Sequence, residues 1–324
     1  MAVAGATTAP LVVVTADPFT NTTSAHSTAV EPDSYSWGST LVEAAQVGRF
    51  YDGGASDIGW GTSTNSGSTW TRGALPGITK FRSGPYDRVS DPSVAYDAKH
   101  GVWMIVSLAL KESPQLSAPA VVVNRSTDGI HWNPATTVAT SGDMDKNWVV
   151  CDNWSQSPYY GHCYVEWDGG SSNLIRMNTS TDGGKTWGSS RATVDFADGI
   201  GGQPLVRPNG SVVVPFDSAN QSAIRWTLSA NGGASWSASK LAVSVQDHAV
   251  AGDLRASSLP SAEMDGAGRI YLVWQDCRFR AFCSAQRHRR QQARSDRDDV
   301  DGSGPHSDRS HLEHRRPLHA RNRG

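Results

Sequence analysis

Short apolar runs recur along the chain and are separated by polar stretches rich in Gly, Ser, Thr and Asn. The clearest runs are residues 101–107, 211–215 and 269–274. Runs of this length, rich in β-branched and aromatic residues and bounded by turn residues, predict β-strands. No long segment has the 3.6-residue apolar period of an amphipathic helix. The pattern therefore predicts an all-β chain.

The polar stretches contain four versions of one phrase that closes on a tryptophan, at residues 63–70, 125–132, 180–187 and 229–236. The closing tryptophans are 62, 55 and 49 residues apart. The Asp or Asn in each phrase caps its own backbone and the glycines allow positive φ, so we expect a hairpin turn. The capping residues are Asn65, Asp128, Asp182 and Asn231.

The tryptophan is expected to pack on a neighbouring strand while its indole N–H bonds a backbone acceptor. A period of about 40 to 60 residues is typical of a β-propeller or another array of small sheets. Each phrase thus predicts one blade.

A second signal falls between these phrases, where a Pro precedes or opens a strand-like run. It occurs as Glu31-Pro32, Asp91-Pro92, Gln203-Pro204 and Leu259-Pro260. The third copy of the series is expected at residues 145–152, which contain no Pro. We expect each to mark the entry to the inner strand of a blade. Such entries converge on one face of a propeller, so the charged and polar residues beside them are candidate ligand-binding residues. They are Glu31, Asp33, Asp87, Arg88, Asp91, Asp145, Lys146, Asp152, Gln203, Arg255, Glu263, Asp276 and Arg278.

The third phrase, Ser180 to Trp187, matches the pattern Ser-x-Asp-x-Gly-x-Thr-Trp, and the other three match it in part. This pattern resembles the Asp box, or BNR repeat, of the sialidase (neuraminidase) superfamily. The resemblance covers residues 27–285 and implies a six-bladed propeller in the intact protein. It also implies a secreted glycoside hydrolase of the exo-α-sialidase type that acts on extracellular glycans.

In that family three arginines hold the sugar carboxylate, an aspartate acts as acid/base, and a glutamate activates a tyrosine nucleophile. Planar guanidinium groups suit a carboxylate, and a tyrosine avoids placing an anionic nucleophile against an anionic sugar. Carried over to this chain, the resemblance implies Asp91 or Asp145 as the acid and Tyr164 with Glu166 as the nucleophile pair. The implied substrate-binding residues are Arg88, Arg255, Glu31, Gln203 and Arg278. Val30-Glu31-Pro32 replaces the Arg-Ile-Pro segment of the family.

The body also resembles a group of secreted actinobacterial sialidase-like proteins of unassigned activity. The segments that carry this resemblance are residues 46–50, 53–57, 87–97, 160–163 and 274–278. Two other functions stay open. One is a non-catalytic propeller that binds glycan or protein, and the other is an inactive truncated fragment.

The four cysteines form two local pairs, Cys151 with Cys163 and Cys277 with Cys283. Such pairs in a β protein rich in Trp and Gly suggest disulfides and an oxidising, extracellular compartment. Zinc is a weaker alternative because the chain has no Cys-x-x-Cys pair. Calcium at Asp145 and Asp152 is a minor alternative, since their spacing matches no defined calcium loop. Otherwise we expect no metal and no cofactor.

The composition of the chain limits the classes of partner that it can bind. Without residues 286–324 the chain carries 19 basic and 25 acidic residues, which disfavours nucleic acid as a partner. No run reaches the roughly 18 apolar residues of a membrane span. We expect a monomer with a glycan as substrate or ligand.

The ends of the chain differ from its body. Residues 1–26 are expected to be an N-terminal segment that holds at most a leader remnant. The last 39 residues contain 10 Arg, no Lys and no aromatic residue, a composition that predicts disorder. Back-translated codons for residues 286–292 encode the strand-like Asn-Asp-Ile-Val-Val-Ser-Lys when read one base along. This predicts a frameshifted tail and a propeller truncated after four to five blades.

Overall fold

The computed structural model describes residues 11–140, 142–170, 172–247, 256–279 and 283. The chain divides into two compact units, of which the first comprises residues 1–247 and 257–276 and the second residues 248–256 and 277–324. All described strands belong to the first unit. The described part of the second unit contains the Cys277–Cys283 disulfide. The tail predicted from residue 286 onward lies outside the described residues.

The strands follow one another as four antiparallel units of four strands, here called repeats I to IV, and a final pair. Repeat I comprises β1 (Ala25–Trp37), β2 (Thr40–Arg49), β3 (Ala55–Ser63) and β4 (Thr71–Ala74). Repeat II comprises β5 (Arg88–Asp97), β6 (Val102–Lys111), β7 (Ser117–Ser126) and β8 (Thr136–Thr140). Repeat III comprises β9 (Met144–Cys151), β10 (Cys163–Gly169), β11 (Leu174–Ser180) and β12 (Arg191–Ala192).

Repeat IV has a first strand in two pieces, because β13 and β14 both pair with β15. It comprises β13 (Gly199–Ile200), β14 (Leu205–Val206), β15 (Val212–Ser218), β16 (Ala223–Ser229) and β17 (Lys240–Ser244). The final pair is β18 (Ser261–Met264) with β19 (Ile270–Val273). The described part of the chain contains one short 3₁₀ helix, Lys80–Arg82, between β4 and β5. The all-β prediction is confirmed. In the described residues no strand pairing joins the last sheet to the first, so the number of blades stays a prediction.

The hydrophobic core lies between successive repeats. Along β6, Trp103 and Ile105 pack in the cluster shared with repeat I, whereas Met104 and Val106 pack in the cluster shared with repeat III. Successive side chains of a strand point to opposite faces, so a strand covered on both faces reads as a continuous apolar run. This accounts for the apolar run in residues 101–107. A third cluster, which includes Phe216, fills the space between repeats III and IV.

Each repeated phrase forms the turn between the third and fourth strands of its repeat. In repeat III, Ser180 Oγ donates to Asp182 Oδ1 at 2.9 Å, and the Gly184 N–H donates to Ser180 Oγ at 2.9 Å. Asp182 Oδ1 also accepts the Thr186 N–H at 3.0 Å. The equivalent oxygens of Asn65, Asp128 and Asn231 accept the same kinds of bond. In all four turns the Asp or Asn side chain thus accepts hydrogen bonds from within its own turn.

The tryptophans of the turns follow the prediction only in part. The indole N–H of Trp70 donates to Gly67 O at 3.1 Å, and Trp132 makes the equivalent bond at 3.0 Å. The indole nitrogens of Trp187 and Trp236 are buried without a hydrogen-bond partner. Trp236 is only 2% exposed and packs in the cluster between repeats III and IV. There the ring is anchored by apolar contact instead.

The segment before β1 packs on repeat I. The guanidinium of Arg72 donates to the Val13 carbonyl at 3.2 Å. A Cβ at Gly61 would overlap the Val14 carbonyl, which explains why β3 carries a glycine there. Val13 and Val14 therefore contact repeat I.

The two predicted disulfides are present, and the first, Cys151–Cys163, joins paired positions of β9 and β10. Within the described residues no helix is long and apolar enough to cross a membrane.

Candidate functional site

The first strands of repeats I to III are interrupted at the same place by a break in register. The breaks lie between Val30 and Asp33 in β1, between Ser90 and Ser93 in β5, and between Asp145 and Trp148 in β9. At each break one residue has a positive φ, which is 52° for Glu31, 48° for Asp91 and 52° for Lys146. Gly201 has a φ of 69° in repeat IV. Bulges of this kind redirect side chains and are frequent near binding sites.

These interruptions surround a cavity of about 290 Å³. The residues that line it come from all four repeats and from the residues before β18. They are Glu31, Pro32, Asp33, Asp91, Pro92, Lys146, Asn147, Trp148, Gly201, Gly202, Gln203, Leu259 and Pro260. The structure thus brings together residues from all four Pro-containing signals in the sequence.

The cavity wall is rich in carboxylates. Burial raises the pKa of Asp33 to about 6, although the Val94 N–H donates to its Oδ2 at 2.7 Å and opposes the rise. Asp91 accepts a hydrogen bond from Ser90 Oγ at 2.8 Å, and its Oδ2 lies 3.9 Å from Lys146 Nζ. Glu31 accepts a hydrogen bond from the Gln46 side chain. Among the described lining residues, Lys146 is the one with a basic side chain.

Two further carboxyl groups lie behind this wall, on β10. Burial and the nearby Asp145 raise the pKa of Asp168 to about 8, and its Oδ1 accepts the Gly201 N–H at 3.1 Å. Glu166 is fully buried, its pKa is raised well above the usual value by burial, and neither of its oxygens has a hydrogen-bond partner. A Cβ at Gly202 would overlap the Glu166 carboxyl group, so this carboxyl lies directly against the cavity wall.

Side chains at the cavity also connect each repeat to the next. In every case an acidic or amide oxygen on one repeat accepts a backbone N–H of the following one. The pairs are Asp33 with Val94 (2.7 Å), Asp91 with Lys146 (3.3 Å), Asp168 with Gly201 (3.1 Å) and Gln203 with Ala262 (2.8 Å). These residues therefore have a structural role whatever else they do.

Arg88 does not line the cavity, contrary to the role implied by the resemblance. Its Nη1 lies 2.5 Å from Asp52 Oδ1, and its Nε lies 2.7 Å from Glu112 Oε1. The guanidinium also stacks over the Phe50 ring at 4.1 Å, and the residue is 8% exposed. Both carboxylates and the ring already occupy the faces that a sugar carboxylate would need.

The proposed nucleophile pair is not assembled. Tyr164 is fully buried among the apolar residues between repeats III and IV, where burial raises its pKa. Its hydroxyl has no hydrogen-bond partner, so it makes no hydrogen bond to Glu166. Residues two apart in a strand share one face, but they lie about 6 to 7 Å apart along the strand. This spacing alone therefore does not bring their side chains together.

The remaining predicted residues are dispersed. Asp145 is exposed and accepts the Lys146 N–H at 3.0 Å, without lining the cavity. Asp152 is buried and accepts the Trp154 N–H at 3.0 Å. The described residues contain no group of three His, Cys, Asp or Glu arranged to hold a metal ion. Arg255 lies outside the described residues, and Arg278 belongs to the second unit.

Sequence reasoning missed Asp168, Asn147 and Gly202. Asp168 follows Glu166 at the two-residue period of a strand, and Asn147 follows Lys146 in the third signal. Neither spacing shows which residues meet the Gly201–Gly202 segment, because that depends on how repeat III packs against repeat IV.

No sequence-family model and no curated protein sequence matches the chain. Solved structures do match. The leech intramolecular trans-sialidase is 12% identical with a TM-score of 0.54, and the match covers 83% of this chain and 63% of the enzyme. The NanB sialidase of Streptococcus pneumoniae is 12% identical with a TM-score of 0.52, covering 82% of this chain and 62% of the enzyme.

A protein of unknown function from Dyadobacter fermentans is 14% identical with a TM-score of 0.52, and the match covers 84% of each chain. The chain thus spans less than two thirds of the two sialidases. Identities this low establish the fold and not the activity. The chain has a sialidase-like, all-β fold.

Proposed function

We propose that the chain binds a glycan in the cavity and acts as a glycoside hydrolase on extracellular glycans. The observation that carries this proposal is the presence of Asp33 and Asp91 on the wall of one cavity, with the pKa of Asp33 raised to about 6 by burial. Glycoside hydrolysis generally uses two carboxyl groups in different environments, one of which keeps its proton near neutral pH.

Asp33 is the general acid in this proposal, because it retains a proton to a higher pH than an ordinary aspartate. Asp91, beside the Lys146 ammonium, supplies the second carboxyl group and keeps the catalytic role expected from the sequence. Trp148 adds an aromatic surface on which a sugar ring can stack. Asp145 is not needed in this arrangement.

The sialidase-like fold supports a glycan as the substrate, and the neighbouring enzymes act on sialosides according to their names. An exo-α-sialidase would need a cationic cradle for the sugar carboxylate. Arg88 is engaged elsewhere, and no arginine is among the described residues that line the cavity. The sialidase specificity implied by the resemblance would therefore need other arginines.

The test is release of an aryl alcohol from a panel of aryl glycosides, including an aryl sialoside, by the purified chain. Asp33→Asn and Asp91→Asn are expected to lower kcat about 10²–10⁴-fold, as loss of a general acid or its partner does. The control is Asp182→Asn, because Asp182 caps a turn and does not line the cavity. This variant should retain full turnover. Turnover that survives both cavity substitutions would contradict the proposal.

A non-catalytic glycan-binding protein is the second candidate. It is favoured by the burial of Tyr164, which leaves the cavity without a tyrosine among its described lining residues. Binding of a glycan with no product release, and with the same affinity in Asp33→Asn, would support this alternative.

We also propose that repeats I to IV and the β18–β19 pair are blades of a β-propeller around the cavity. The support is that the first strand of each repeat contributes to a common wall. The two disulfides fit secretion into an oxidising compartment.

A further inference from the structure

We propose that the cavity selects a sugar that carries a protonated amine, such as a 2-amino-2-deoxyhexose, over an acidic sugar. The inference rests on the proposed glycan binding and names the class of sugar. It follows from the hydrogen-bonding groups on the wall and from their charge.

The wall offers acceptors and few donors. Glu31, Asp33 and Asp91 present carboxyl groups, and Asn147 presents an amide. The Asn147 residue is 2% exposed, and its Oδ1 is buried without a hydrogen-bond partner. A buried acceptor without a donor is destabilising, so a ligand that brings a donor is favoured at this place. An ammonium group has three donors and no acceptor.

The charge of the wall points the same way. Besides Asp33, whose pKa is raised to about 6, two carboxyl groups, those of Glu31 and Asp91, face one ammonium group, and that ammonium, on Lys146, lies 3.9 Å from Asp91. A sugar carboxylate would be placed against like charges, whereas an ammonium would be placed against opposite ones. Like charges in a partly buried site repel each other, and opposite charges favour association.

The residues that have a positive φ at the bulges fit this preference for a cation. Two of the three non-glycine residues at the bulges are the acids Glu31 and Asp91. The third, Lys146, lies next to one of those acids, so it compensates part of their charge but does not provide a bidentate carboxylate cradle.

The experiment measures binding of three trisaccharides by calorimetry at pH 6 and low salt. The first is made of glucosamine, the second of N-acetylglucosamine, and the third is 3′-sialyllactose. We expect the glucosamine trisaccharide to bind at least about tenfold more tightly than the acetylated one, a difference of about 1.4 kcal/mol. Its affinity should fall as salt is raised, because the selection is electrostatic.

Variants link the preference to the wall. Asp91→Asn is expected to reduce the tenfold preference to less than about threefold, since it removes one charge and keeps the size of the side chain. Asp182→Asn should keep the full preference. Circular dichroism of each variant shows that the fold is retained.

Other outcomes overturn the inference in distinguishable ways. Equal binding of the glucosamine and N-acetylglucosamine trisaccharides would exclude selection for the amine while leaving the proposed glycan binding intact. Tightest binding of 3′-sialyllactose would overturn the inference, because the cavity would then prefer an acidic sugar. Absence of binding by all three sugars, together with absence of turnover on aryl glycosides, would overturn both proposals.

Discussion

The side chain of Asp33 in β1 accepts the backbone N–H of Val94 in β5 at 2.7 Å, and this bond joins repeat I to repeat II at the cavity. Asp33→Ala is expected to lower the free energy of unfolding by about 1–3 kcal/mol, because the Val94 N–H loses its acceptor. Asp33→Asn keeps an acceptor oxygen and should cost less than half as much. Urea denaturation of both variants measures the difference.

The comparison also separates the two roles of Asp33. A folded Asp33→Asn that has lost turnover would show that its carboxyl group acts in catalysis as well as in the joint. Equal losses of stability in the alanine and asparagine variants would contradict the proposed hydrogen-bonding role.

The stability of the chain should fall as the pH rises from 5 to 8. Burial raises the pKa of Asp57 and of Asp168 to about 8 in the folded state. Between their unfolded pKa, near 4, and the folded value, each is protonated when folded and ionised when unfolded. The stability they contribute is present below pH 4 and is lost as the pH rises, at up to about 1.4 kcal/mol per pH unit for each group.

Urea denaturation at several pH values tests this dependence, and Asp57→Asn provides the matched variant. The side chain of Asp57 accepts the Thr79 hydroxyl at 3.0 Å and the Ile58 N–H at 2.8 Å, and an asparagine oxygen can still accept one of these bonds. The pH slope should be shallower in this variant. An unchanged slope would mean that Asp57 is ionised in the folded protein.

The turn of repeat III should tolerate asparagine at position 182 but not alanine. Partial burial would raise the pKa of Asp182, but hydrogen bonds from Thr186, Ser180 and Lys185 outweigh it and lower the pKa to about 2. Asp182→Ala is expected to cost about 1–2 kcal/mol of unfolding free energy, as loss of a capping side chain does. Asp182→Asn should cost only a few tenths, because Asn231 performs the same role in repeat IV.

Thermal and urea denaturation of the two variants measure these costs. Asn231→Ala and Asn231→Asp form the matching pair in repeat IV. Similar stability of wild type and Asp182→Ala would contradict the capping role.

Gly202 and Glu166 should be energetically coupled. Gly202→Ala places a methyl group where the Glu166 carboxyl lies, and overpacking of this kind costs about 1–3 kcal/mol. In the Glu166→Ala background the same change should cost much less. A double-mutant cycle on unfolding free energies measures the coupling, and additive effects would show that the two residues do not compete for space.

Arg88 should matter for stability and not for ligand binding. Arg88→Lys loses the fork that bonds Asp52 and Glu112 at once and the stacking on Phe50, and we expect a loss on the order of 1–2 kcal/mol. Sugar affinity should stay unchanged. Arg82→Lys, at an exposed position, is the control. A folded Arg88→Lys with weakened sugar binding would restore the role implied by the family resemblance.

The sequence did not predict the surroundings of the catalytic residues implied by the resemblance. Tyr164 and Glu166 share one face of a strand, yet they lie in different surroundings because repeat IV covers Tyr164 with apolar side chains. Arg88 lies at the start of β5, where its guanidinium forms ion pairs with Asp52 and Glu112 from two loops. The surroundings of Tyr164 and of Arg88 thus depend on contacts with residues that are distant in the sequence.

By itself, the sequence determined the elements that depend on local chemistry. Short, continuous apolar runs bounded by turn residues determined the strands. The repeated Ser-x-Asp/Asn phrase determined its turn through hydrogen bonds within a few residues, and the local cysteine pairs predicted both disulfides. The tertiary structure alone decided which polar residues share the cavity and which are buried behind it. Asp33 and Asp168 owe their raised pKa values to burial by neighbouring repeats, and burial arises only when segments far apart in sequence pack together.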